Sequence, residues 1–162
     1  MTRYGLILSC SQRKRITERP MRAIDLYDGY YYRILRKLFR EGYGQSLDIR
    51  IVSAKYGVIG PRDQISWYDT RMTRQIADHM HFETVAQLSR WIDQGKYPQV
   101  FINLGAEYLR AIEGLEQRVL PSVQLVFANG GIGSKGAQMK TWILYTDNAV
   151  ANTTTNLKEQ GR

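Results

Sequence analysis

At 162 residues, 43% of them apolar, the chain suits one domain with a sizeable core, and no window nears the roughly 18 apolar residues of a membrane span. One cysteine, Cys10, excludes an internal disulfide, and with two histidines, His79 and His81, there are too few ligands for a structural zinc site; no metal or cofactor is expected. The formal charge of +8 is uneven, because residues 1–60 hold 12 Lys/Arg against 5 Asp/Glu and the rest hold 11 against 10, the footprint of a polyanion-binding face or of a solubilising one.

Tyr4 to Ser9 predicts a first strand. Its apolar run is too short for a signal peptide, so a cytoplasmic protein is expected. Ser9-Cys10-Ser11-Gln12-Arg13-Lys14-Arg15 then sets hydroxyls before a basic triplet, a loop able to offer backbone N–H groups and cations to an anion. It lacks the glycines of a Walker or dinucleotide-binding loop. A helix is expected over Tyr30–Glu41, with Ile34, Leu35, Leu38 and Phe39 as its apolar face. Arg33, Arg36, Lys37 and Arg40 fall on one stripe, suited to tracking phosphates or simply to facing solvent. Of Tyr30, Tyr31 and Tyr32, at least one must be exposed or face a crevice, since successive helical residues cannot share one face.

Asp48 to Ser53 predicts a second, buried strand. Ser53 to Asp69 follows without periodicity and carries Lys, Arg, two Tyr, Trp and two Asp, the mark of a functional loop at a strand's C-terminal end. Thr73 to Gly95 reads as one or two helices with a break near His81-Phe82, and its histidines read as surface residues. Gln99–Leu104 predicts strand three, followed by a short helix from Gly105. Val123–Ala128 predicts strand four, followed by the turn Asn129-Gly130-Gly131-Ile132-Gly133-Ser134-Lys135-Gly136 and a helix over Ala137–Tyr145. Residues 148–162, with Thr153-Thr154-Thr155 and no apolar period, are expected to be a flexible tail on a single domain spanning 1–147. Strands alternating with helices define an α/β protein: three α/β/α layers around a four-stranded, mostly parallel sheet, with four polar strand ends on one edge.

Ser-Cys-Ser-x-x-Lys, Asp-Leu-Tyr-x-Gly, Ser-Ala-Lys-Tyr-Gly-Val-Ile-x-Pro…Tyr-Asp and the final glycine-rich turn, in that order, resemble the YaaA-like family of small bacterial and phage domains. The matching positions are Ser9, Cys10, Lys14, Tyr27, Gly29, Ser53, Lys55, Tyr56, Gly57, Pro61, Tyr68, Asp69, Gly131 and Gly133, and the resemblance spans residues 4–145. It implies a fold similar to the uracil-DNA glycosylase superfamily and binding of DNA or a nucleobase. In the glycosylase branch it also implies cleavage of a base–sugar bond. The chain departs from that superfamily in lacking a Gly-Gln-Asp-Pro-Tyr motif after its first strand and a His-Pro-Ser loop.

The chemistry needs a pocket for an extruded base, support for an oxocarbenium-like sugar and donors for the departing base. The catalytic candidates are Asp69, to orient water and offset the sugar's charge, and Tyr56 and Tyr68, which with Trp67 offer rings for stacking. Ser9, Cys10, Tyr27, Ser53, Lys55, Gly57, Asn103 and Asn129 are the substrate-binding candidates. Arg13, Lys14, Arg15, Arg33, Arg36 and Lys37 are the candidates for the DNA backbone. Alternatives stand beside these roles. Asp69 can cap the next helix or pair with Arg62 or Arg71, Asp63 can be the catalytic carboxylate or a turn residue, and Asn103 and Asn129 can be caps. Lys55 can form a Schiff base, and Cys10 has no histidine partner for nucleophilic work. The expectation is a monomeric, monofunctional DNA glycosylase acting on a modified or damaged base, with a role in phage defence. The alternatives are a non-catalytic DNA-binding stress protein and an N-glycosidase or transferase for free nucleotides.

Overall fold

The computed structural model describes residues 1–161. The first strand, β1 (Tyr4–Ser9), is buried almost throughout and is the sheet's centre. It pairs in parallel with β3 (Leu47–Ser53), Tyr4 opposite Leu47 and Ser9 opposite Val52, and with β6 (Gln99–Asn103), Gly5 opposite Val100 and Leu8 opposite Asn103. β7 (Gln124–Phe127) extends the parallel set beyond β6.

The sheet has five strands, not four. β4 (Gly57–Ile59) folds back antiparallel on β3, giving the order β4-β3-β1-β6-β7. The hairpin is set by Ser53, whose Oγ accepts from the backbone N–H of Lys55 (3.2 Å) and Tyr56 (3.0 Å). Gly57 then turns the chain at φ +71°, a conformation that disfavours side chains. Farther along, β5 (Gln64–Ile65) pairs antiparallel with β2 (Met21–Arg22) in a separate ribbon. The expected long loop is therefore a hairpin plus a ribbon, joined by turns.

Alternation along β1 divides the core. Tyr4, Leu6 and Leu8 pack with α1 (Ala23–Leu26), with Tyr32, Leu35 and Leu38 of α2 (Tyr30–Arg40) and with Met139, Trp142 and Ile143 of α5 (Ile132–Gln160). Ile7 packs on the other face with Val85, Leu88 and Ile92 of α3 (Arg74–Gly95), near α4 (Ala106–Ala111) and the 3₁₀ turn Leu115–Gln117. The architecture is three layers. Of the tyrosine triplet, Tyr32 is buried, Tyr31 half-buried and Tyr30 exposed. Tyr30 lies across Gly136, where an added Cβ would come within 2.5 Å of the ring, so the missing side chain lets α2 and α5 approach closely.

One helix resolves an open expectation and another exceeds its expected bounds. α3 runs unbroken through His81-Phe82: Thr73 Oγ1 accepts from Ile76 N–H at its start, and Lys96 in the left-handed conformation ends it. His81 lies within the unbroken helix, its ring bonded to Glu113 O at 2.6 Å. α5 starts at Ile132 and continues to Gln160, through the residues expected to form a flexible tail. Thr153, Thr154 and Thr155 bond the carbonyls of Ala149, Val150 and Ala151, so helical backbone and hydroxyl are satisfied together without an apolar face. Arg162, the last residue of the expected tail, lies outside the described residues. No helix among the described residues is long and apolar enough to cross a membrane.

Candidate functional site

The four parallel strands end together at Ser9, Ser53, Asn103 and Phe127, the edge where open α/β sheets bind ligands. A cavity of about 320 Å³ opens beside it. Its walls are the loop after β1 (Cys10, Ser11, Gln12, Lys14), the approach to α3 (Asp69 to Met72) and the entry to α4 (Gly105 to Tyr108).

Local backbone geometry selects the lysine from the basic triplet. Lys14 bridges antiparallel to Tyr27, flanked by Arg15 N–H on Leu26 O (2.8 Å) and Asp28 N–H on Arg13 O (2.9 Å). Neighbouring side chains on an extended backbone point to opposite sides, so Lys14 turns into the cavity while Arg13 and Arg15 face solvent. Gly29, the N-cap of α2, lacks a side chain where one would strike Ser11 Oγ, which lets this loop sit against the helix.

Beneath the cavity lies a hydroxyl chain. Tyr68 OH is 2.7 Å from Tyr27 OH and 2.9 Å from Ser53 Oγ. Lys14 Nζ stands 4.2 Å from the Tyr68 ring centroid, and Cys10 Sγ meets Tyr108 OH at 2.9 Å. Burial pushes the Tyr68 and Tyr108 phenols far up and that of Tyr27 to about 12, so all three stay protonated at neutral pH. Burial lowers the Lys14 pKa, with nearby Cys10 and Asp69 partly opposing the shift.

Asp69 is exposed on the cavity wall, and among the described residues it makes no hydrogen bond or ion pair. Thr73 caps α3, so Asp69 does not. Asp63 is the turn residue: its Oδ2 accepts from Gly60 N–H at 2.8 Å.

Several other expected residues sit elsewhere. Tyr68 is 4% exposed and lies outside the cavity wall, so its ring cannot stack on a base. Tyr56 meets Tyr68 edge-on at 5.3 Å, donates its OH to Ser66 O and is outside the cavity wall. Ser53 is wholly buried and serves the hairpin, as does Gly57; Lys55 is exposed and outside the cavity wall. Ser9 contributes its carbonyl to Tyr32 OH (2.7 Å). Asn103 is 1% exposed; its Nδ2 faces Met139 Sδ at 3.9 Å and its Oδ1 has no partner. Asn129 is exposed, with its backbone bonded by Gln138, and the glycine turn around it starts α5 without reaching the cavity wall.

The α2 stripe is also corrected. Arg36 is largely buried, donating to Ile24 O (3.0 Å), Tyr27 O (2.8 Å) and the Asp28 carboxylate, so it supports the fold and is not placed for a phosphate. Arg33 pairs with the same Asp28 at 3.0 Å, Arg13 reaches it at 3.6 Å, and Lys37 pairs with Glu41 at 4.0 Å. The sequence reading missed Tyr108, Glu107 and Arg71 as wall residues. The strand-end rule that singled out Asn103 could have reached Glu107 and Tyr108 if extended four or five positions along the chain.

No curated protein matches the chain significantly. The crystal structure of AF0587, described as a protein of unknown function, aligns with 88% of this chain at 17% identity and a TM-score of 0.51. The chain spans only 44% of that protein's length, and a likeness at this identity shows the fold alone. The profile of DUF6884, a family of unknown function, matches residues 6–141, and the chain belongs to that family.

Proposed function

We propose that the protein hydrolyses the N-glycosidic bond of a modified or damaged nucleobase in DNA, leaving an abasic site, on a sheet related to that of the YaaA-like and uracil-DNA glycosylase folds. The observation that carries this reading is the unpaired Asp69 carboxylate on the wall of a cavity that also holds the Lys14 ammonium. At about 320 Å³ the cavity is at the small end of ligand sites, which run from about 300 to 1,000 Å³, and suits one base with its sugar. As the C1′–N bond lengthens, positive charge develops on the sugar, and Asp69 offsets it while orienting the attacking water. The base leaves with the bonding electrons, and Lys14 is the cation beside it. Exposed Arg15, next to Lys14 in the chain, serves as a phosphate contact. Defence against DNA carrying foreign base modifications is the setting this activity suits.

A second reading, an N-glycosidase for free nucleotides, draws support from Asp28 and Glu41, which engage Arg13, Arg33, Arg36 and Lys37 and shorten any phosphate track. The deciding experiment incubates the protein with plain DNA, DNA of varied base modification and the matching free nucleotides. Freed base and alkali-sensitive sites are then measured. Release from DNA is expected; release from nucleotides alone selects the second reading, and binding without any release sinks both.

A further inference from the structure

Lys14 occupies a position unlike that of the other lysines near the sheet edge. Its Nζ lies in the cavity, over the face of the buried Tyr68 ring, and its one hydrogen bond among the described residues is a long one, 3.4 Å to Gln12 O. No carboxylate among the described residues lies within ion-pairing distance of it. Lys135 Nζ, by contrast, is held by Leu104 O at 3.0 Å, and Lys55, whose Nζ stands 5.8 Å from the same Tyr68 ring, is exposed and outside the cavity wall. An amine that is partly desolvated, weakly bonded and fixed at a cavity is the arrangement that makes lysine a carbonyl nucleophile.

We infer that Lys14 forms an imine with the C1′ aldehyde of a base-free deoxyribose, giving the pocket a second activity as an abasic-site lyase. The inference rests on the reading that the pocket takes a base-linked sugar, and it concerns what happens after the base is gone. The Lys14 ammonium first loses a proton to solvent. Its lone pair then adds to C1′ of the ring-opened sugar, and the carbinolamine takes up one proton from solvent and loses one water to leave the protonated imine. The imine acidifies the C2′ hydrogen, which passes as a proton to a pocket carboxylate, Asp69 or Glu107. The C3′–O bond breaks, its electron pair leaving on the 3′ phosphate. Water then hydrolyses the imine, freeing Lys14 and an unsaturated aldehyde. No oxidant or reductant is consumed.

Burial lowers the Lys14 pKa and so supplies more neutral amine near physiological pH than an exposed lysine would. The groups facing it that bear on this balance are Asp69 and Cys10, which oppose the shift, and the protonated phenols of Tyr27 and Tyr68. Arg71 and Glu107 share the same wall, with opposite charges.

The test uses a duplex oligonucleotide whose abasic site is prepared beforehand, incubated with the whole protein and sodium borohydride, which reduces an imine to a stable secondary amine. A covalent protein–DNA adduct is expected, and peptide mapping of the unaltered protein should place it on Lys14. Lys14→Arg should lose the adduct, and Lys55→Gln should keep it. No adduct, or an adduct mapping to Lys55, Lys135 or the terminal amine, overturns the inference; the map is made on the unaltered protein, so this outcome does not depend on a variant folding. Because the abasic site is made in advance, the two proposals fail separately: base release without an adduct removes only the lyase, and an adduct without base release removes only the glycosylase.

Discussion

In the loop after β1, an extended backbone pinned to Leu26 and Asp28 turns Lys14 into the cavity and leaves it without an acidic partner. On α2, a stripe of similar charge is drawn onto acids: Asp28 holds Arg33 and Arg36 and reaches Arg13, and Glu41 takes Lys37. One carboxylate just ahead of the helix thus engages cations from two segments. The difference is one of backbone direction, since both stretches are rich in Lys and Arg. A cation is available to a ligand when its segment points it away from neighbouring acids, and a count of charges does not report that.

The largest expected effect lies in the cavity. Asp69→Asn keeps the size of the side chain and removes its charge, so base release should fall by about 10²–10³-fold while DNA binding is retained, as read by freed base and by titration. Full activity in that variant would move the chemistry to Glu107, the other carboxylate on the wall. On α2 the expected effect is on the fold instead. Arg36→Ala strips the donor from Ile24 O and Tyr27 O and leaves Asp28 with weaker partners, and should lower stability by about 2–3 kcal/mol in a denaturant titration. A loss of DNA affinity at unchanged stability would show that Arg36 is a ligand contact after all.

The parallel strands were legible because buried β-branched runs such as Ile49-Arg50-Ile51-Val52 have few other uses, and β1 has the bounds its sequence predicts. β4 was not, because three half-buried residues carry no periodic signal and the Ser53 hydroxyl that fixes the turn acts through backbone N–H groups. The end of α5 was hidden by threonines, whose helical hydroxyl bonds form only once the helix exists. Within the site, Asp69 and Lys14 both line the cavity, Lys14 there instead of on the outer face expected of a DNA-backbone contact. The burial of Tyr68 and the diversion of Arg36 depend on contacts between segments distant in sequence, Tyr68 with Ser53 and Tyr27, and Arg36 with Ile24 and Tyr27.

A smaller effect should appear in acid. The Arg33 hydrogen bond, aided by its charge and by Arg36 and opposed by burial, holds the Asp28 carboxyl below its ordinary 3.8. A carboxyl depressed in the folded state contributes stability that is full above that ordinary value and is lost as pH falls through the lowered one. Asp28→Asn should therefore flatten the acid limb of stability below about pH 4, measured as denaturation midpoints across pH. The limb should not vanish. Asp48 is raised by burial, but the hydrogen bonds from Arg3 and Tyr97 outweigh this, and its net lowering gives a contribution of the same sign.

The smallest effect is the sharpest check on the contrast between the two basic stretches. Lys37 is two-thirds exposed and pairs with Glu41 at 4.0 Å, a type of surface pair that contributes little to stability. Lys37→Ala should leave the unfolding midpoint and the salt dependence of DNA binding unchanged. Arg15→Ala removes a solvent-facing cation beside the cavity, and should lower the slope of log K against log salt by about 0.9, the share of one phosphate contact. Equal slopes for the two variants would mean that the α2 face meets DNA as fully as the β1 loop does. The acid pairs on α2 would then have to open in the complex, and the distinction between free and engaged cations would hold only for the protein without DNA.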